Sequence, residues 1–181
     1  MIASDVILYS GFGLVSPILA IFIKENLVGG TIAAAGAASA IFLITRSILQ
    51  ILFAYVFNPK DRRWMLLLGT FLISITPFLY ILLTEIWHIY VVQFIYGIGA
   101  SLAYPAWYSI FTSNLSKGQR GYQWSIYSSG VGIGAAITAF LGALLAEKTS
   151  FNTVFFIAGV LGMIGLVILC FVTNKEIMKK I

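Results

Sequence analysis

Charge is the scarcest property of this sequence. Only 9% of its 181 residues are charged, where soluble domains carry about 25%. The six acidic residues, Asp5, Glu25, Asp61, Glu85, Glu147 and Glu176, are scattered, and no two form a close pair. One cysteine, Cys170, excludes an intramolecular disulfide. One histidine, His88, has no second His or paired carboxylate beside it, so a metal site is not expected. There is no His-Glu-x-x-His and no Ser-His arrangement at depth, and these absences argue against an enzyme and against a metal or cofactor. What is present is apolar: 60% hydrophobic residues, 15% aromatics and a mean hydropathy of +1.00. That excludes an ordinary soluble domain and marks a chain whose solvent is the lipid bilayer.

The apolar residues fall into runs long enough to cross a hydrocarbon core of ~30 Å, which takes about 20 helical residues. The expected spans are 6–23, 31–56, 65–84, 89–113, 122–146 and 153–173, giving an all-α polytopic membrane protein of one six-helix domain over residues 1–181. Short basic loops stay on the cytoplasmic side. Lys60, Arg62, Arg63, Lys117, Arg120, Lys175, Lys179 and Lys180 fall on one side and Lys24 and Lys148 on the other, so both termini are expected to be cytoplasmic. The net charge of +5 is therefore read as topology, spread over loops rather than gathered into a patch for nucleic acid. No cleavable signal is evident, and the short loops suit a prokaryotic inner membrane.

Several intramembrane positions stand out. Pro17 is expected to bend the first span, whose Asp5, Tyr9, Phe12 and Ser16 share a face. Asp5 reads as a solvated residue at the helix start. With every carboxylate at a span end or in a loop, proton coupling is not expected. Ala33 to Ala38 form a small-residue run that lets another helix come close. Arg46 lies midway along the second span, about 18 Å from Asn58 at ~1.5 Å per residue. A charge there costs roughly 2.5–3.5 kcal/mol, so it faces a cavity or a protein partner. Two roles stay open for it: solute contact, or pairing with a backbone carbonyl or another subunit. Gln50 shares its face. In the fourth span, Gln93, Gly97, Ala100, Tyr104, Trp107 and Tyr108 make a stripe suited either to a solute pocket or to aromatic packing. Gly130, Gly134, Thr138 and Gly142 repeat every four residues, a close-packing face on the fifth span. Spans 1–3 and 4–6 each end on a more regular helix, which makes a three-plus-three repeat plausible.

The basic loop then carries a family resemblance. Ala54-x-Val56-x-Asn58-x-x-Asp61-Arg62-Arg63 resembles the G-x-L-x-D-x-x-G-R-[KR] signature between helices 2 and 3 of major facilitator superfamily transporters, keeping the spacing and the basic pair. Gly97-Ile98-Gly99-Ala100 followed by Pro105 resembles that family's fourth helix, with Gln93 where antiporters have arginine. Ser116-Lys117-Gly118-Gln119-Arg120-Gly121 and the glycine-rich span after it are similar to the helix 4–5 connection and helix 5. The resemblance covers the chain as one N-terminal-like half of a twelve-helix body. It implies alternating access, with spans 1 and 4 lining a cavity and spans 2 and 5 meeting a second half. Arg46, Gln50, Gln93, Tyr104, Trp107 and Tyr9 are the expected cavity residues, and Asn58, Asp61, Arg62 and Arg63 the expected gating loop. Gly97, Gly130, Gly134 and Gly142 are the expected packing positions. The implied partners are the bilayer, a small solute, for which Arg46 favours an anion, and a second six-helix half, either a homodimeric copy or a continuation of the chain. The competing reading is a non-transporting assembly partner or a truncated transporter fragment.

Overall fold

The structure is a computed structural model that describes residues 2–57, 62–113, 115–116 and 118–178. Seven helices follow one another: α1 (Ile2–Val15), α2 (Leu19–Asn26), α3 (Ile32–Val56), α4 (Arg62–Ile81), α5 (Ile86–Ser113), α6 (Arg120–Lys148) and α7 (Phe151–Met178). Helices α1 and α2 form one span, broken at residues 16–18 around Pro17, because proline has no N–H to continue the ladder and its ring crowds the preceding turn. Among the described residues, six segments are long and apolar enough to cross a membrane: Asp5–Asn26, Ile32–Val56, Arg63–Ile81, Ile86–Ser113, Arg120–Lys148 and Phe151–Phe171.

The connections gather at two ends. At what we call the near end lie the start of α1, the end of α3 and start of α4, the end of α5 and start of α6, and the end of α7. At the far end the first and third connections pair: the Val28 N–H donates to the Thr84 carbonyl at 2.9 Å, and the Ile86 N–H to the Val28 carbonyl at 3.2 Å. Local caps finish the helix starts there. Thr31 Oγ1 accepts from the Ala34 N–H at 3.0 Å, and His88 Nδ1 accepts from the Glu85 N–H at 3.1 Å, so the sole histidine serves as a cap.

Packing follows an exchange. Helix α1 packs on α6 and α7, α5 packs on α3 and α4, and α4 meets α7. Swapping spans 1–3 for spans 4–6 exchanges the α1–α6 contact with α5–α3 and the α1–α7 contact with α5–α4 and returns α4–α7 to itself, so the main interhelix contacts follow a three-plus-three pattern, while the smaller α2–α3 and α6–α7 contacts do not. Three spans is an odd number, so the two repeats run in opposite directions through the membrane, related by an axis in its plane. The crossings agree in detail. A Cβ at Gly13 of α1 would run into Thr138 of α6, and one at Gly97 of α5 would stand 2.7 Å from Thr45 Cβ of α3. A glycine meets a threonine at each equivalent crossing.

Lipid is as apolar as leucine, so close backbone approach rather than hydrophobic burial holds such helices together. Gly69 of α4 shows it, since a Cβ there would lie 2.6 Å from the Gly99 carbonyl oxygen and 2.9 Å from Ala103 Cβ. Several hydroxyls inside the spans turn back on their own helices: Ser10 donates to the Val6 carbonyl at 2.8 Å and Thr76 to the Leu72 carbonyl at 2.9 Å. Two cores result, one at the far end around Phe22, Tyr80, Ile89 and Phe155, one at the near end around Leu66, Ala103, Trp107, Phe111 and Tyr127. Helices α3 and α6 stay largely uncovered. Within their most apolar 18-residue stretches only 17% and 6% of residues are buried, against 50% in α4 and α5.

Candidate solute site

Helices α3 and α5 touch closely at Gly97, which meets Thr45 and the Phe42 carbonyl. Beyond that crossing the side chains grow. Arg46, Gln50, Ala54 and Tyr55 on α3 and Tyr104, Pro105, Tyr108 and Ser109 on α5 line an open groove of about 750 Å³. Positions 46, 50 and 54 are successive turns of one face, so the groove follows the helix axis. The Arg46 guanidinium carbon lies 4.3 Å from the centre of the Tyr104 ring. Such a contact is worth about 0.5–2 kcal/mol, more when desolvated, and it places a fixed positive charge on the groove wall. A neighbouring recess of about 580 Å³ shares Tyr108 and Ser109 with this groove and adds Thr112, Ser113, Arg120 and Trp124. The two form a continuous trough toward the near end, with an arginine in each part.

The other sequence-derived cavity residues distribute unevenly. Tyr9 stacks on Tyr104 with ring centres 6.5 Å apart, so it reaches the groove through that ring. Trp107 is buried instead, stacked on Phe111 at 4.7 Å and Tyr127 at 4.8 Å. Gln93 is 3% exposed and its amide donates to the Tyr80 hydroxyl at 3.3 Å. Neither lines the groove. Residues 93, 104 and 107 do share a face of α5, but the helix crosses its neighbours. Helix α4 closes that face at Gln93, whereas α3 leaves it open at Tyr104.

Asp5 corrects the sequence reading. It is half-buried rather than solvated, and it accepts a hydrogen bond from the Tyr127 hydroxyl of α6. Its helix start is covered because α6 runs alongside α1 to its near end. Tyr127 and Tyr96 are functional-region residues the sequence did not single out. Tyr96 stacks between Phe12, at 5.1 Å, and Phe42, at 4.3 Å, joining α1, α5 and α3. Tyr127 could have been found from its register with Gly134 and Thr138, which place it on the α1-facing side of α6.

The packing glycines also separate. Gly97 and Gly142 sit in close crossings, the latter against the Leu14 backbone, and Gly134 makes ordinary contact with Ser10 Oγ at 3.5 Å. A Cβ at Gly130 would meet nothing within 4 Å. Of the expected gating residues, Asn58 and Asp61 lie outside the described residues, Arg62 is placed by its backbone as the first residue of α4, and Arg63 is half-buried.

The sequence model of the Major Facilitator Superfamily matches residues 2–180. An uncharacterized MFS-type transporter of Methanocaldococcus jannaschii is 24% identical over 173 residues, which is 92% of this chain and 44% of that protein. The chain thus spans less than half the length of the curated relative it matches. Six membrane-length helices, the exchanged packing of spans 1 and 4 and the match across nearly its whole length lead to one conclusion: the chain belongs to the Major Facilitator Superfamily.

Proposed function

We propose that the chain is one half of an alternating-access carrier and that the Arg46 groove is its solute-contacting wall. The observation that carries this is Arg46 itself, an intramembrane cation set against Tyr104 in an open groove of about 750 Å³. A guanidinium of this kind favours a carboxylate- or phosphate-bearing solute, which it can grip with paired hydrogen bonds. Gln50 and Ser109 supply neutral hydrogen-bonding groups, and Arg120 extends the positive lining toward the near end. The groove is open along α3, one of the two least covered helices of the fold, so a second six-helix body is needed to close it, and we assign that role to a second copy of this chain. The expected orientation puts the near end, and the mouth of the trough, in the cytoplasm of a prokaryotic cell. The length of the Methanocaldococcus relative leaves room for a further six spans, which favours a half-carrier over an accessory protein. A six-helix continuation of the chain would fill the same place as the second copy.

The test is uptake into proteoliposomes, screened first with small organic and inorganic anions. Arg46→Leu is expected to abolish uptake of the transported anion while Arg46→Lys retains part of it. Equal uptake by both variants would remove Arg46 from the solute site.

A further inference from the structure

Trp107 poses a problem that the solute groove does not solve. It is 8% exposed, yet its indole N–H has no acceptor among the described residues. Buried donors are nearly always satisfied by protein or by an ordered water. Trp107 lines a small cavity together with Asp5, Thr70, Tyr104, Leu8 and Leu66, whose volume of about 20 Å³ suits a single water molecule. On the opposite account, the Asp5 carboxylate receives one hydrogen bond through Oδ2, from Tyr127, and an ionised carboxylate accepts several. A donor without an acceptor and an acceptor with spare capacity thus face one water-sized space.

We propose that this cavity is a hydration site, in which one water accepts from Trp107 Nε1 and donates to the Asp5 carboxylate. With Tyr127 the site ties three spans at the near end: Asp5 from α1, Trp107 from α5 and Tyr127 from α6. The tie is sensitive to protons. A proton added to the carboxylate removes the negative acceptor that holds both the Tyr127 hydroxyl and the water. The groups facing Asp5 are Tyr127 from α6, Tyr104 and Trp107 from α5 and Thr70 from α4, while α7 brings only Gly165 and Leu169. Tyr9 follows one turn along α1, and Arg46 of α3 lies across the Tyr104 ring. This site lies on the other side of Tyr104, the one residue it shares with the lining of the Arg46 groove, and it stands whether or not that groove carries an anion.

Infrared difference spectroscopy of the chain in lipid nanodiscs, acid minus neutral, tests the proposal in ordinary and ¹⁸O-labelled water. The parent is expected to show a protonated-carboxyl component that is lost in Asp5→Asn, leaving the bands of the other carboxylates, and displaced in Tyr127→Phe. A water band that moves with ¹⁸O is expected in the parent and lost in Trp107→Phe. The last variant keeps an aromatic ring against Phe111 and Tyr127, so it reports on the water even if Asp5→Asn does not fold. A parent without an isotope-sensitive water band, or one whose band persists in Trp107→Phe, would overturn the hydration site. A carboxyl band unchanged in Asp5→Asn would overturn its proton sensitivity.

Discussion

Two crossings in this molecule are structural equivalents with opposite outcomes. Gly13 against Thr138 joins α1 to α6, and Gly97 against Thr45 joins α5 to α3. From the first, the helices stay together: Gly142 lies on the Leu14 backbone on one side, and Tyr127 reaches Asp5 on the other. Past the second, Arg46, Gln50, Tyr104 and Tyr108 line an open groove instead. Side-chain size beyond a shared glycine–threonine contact decides whether a pair of spans becomes a sealed seam or the wall of a groove.

That difference can be attacked directly. The largest effect is expected from Gly142→Val, which drives a branched side chain into the Leu14 backbone. Overpacking of a close crossing costs about 3 kcal/mol, read as a marked fall in thermal unfolding temperature in detergent. Gln93→Leu tests the claim that α5 is closed at its far end. Leaving the Tyr80 hydroxyl without its partner is expected to cost about 1 kcal/mol, with uptake per folded molecule unchanged, since Gln93 does not line the groove. Tyr104→Ala removes the ring under Arg46, a loss of about 0.5–1 kcal/mol in stability. Its expected effect on uptake is far greater, and uptake equal to the parent would detach Tyr104 from the solute path. Smallest is Gly130→Val. With nothing within 4 Å in this chain, it is expected to shift the stability of the single chain by less than about 0.5 kcal/mol, while weakening association between copies if a second half covers α6.

Much of this architecture was legible in the residues. Span number and helical class follow from run length against bilayer thickness, and the break at Pro17 follows from a missing N–H. Gly97 and Arg46 were legible because a glycine run and an isolated intramembrane charge each have few physical uses. What the sequence could not give was neighbourhood. Gly130 and Gly142 carry the same four-residue signal, yet only Gly142 has a helix beside it in this chain. Gln93 and Tyr104 share one face of α5 and end in different surroundings, because a 28-residue helix passes from one partner to another along its length. Asp5 reads as a helix-start residue until Tyr127, 122 positions away, is brought onto it. Periodicity reports which face a residue occupies and is silent about what crosses that face.

The central claim is that the uncovered faces of α3 and α6 meet a second six-helix half across the Arg46 groove. Cysteine cross-linking in membranes tests it most directly. In a Cys170→Ser background, single cysteines replace Ile48 on α3 or Ile137 on α6, which are 61% and 56% exposed, and, for comparison, Phe156 on α7, also 56% exposed. The account predicts covalent dimers from Ile48→Cys and Ile137→Cys and none from Phe156→Cys. Dimers from Phe156→Cys alone, or equal cross-linking from all three faces, would contradict it.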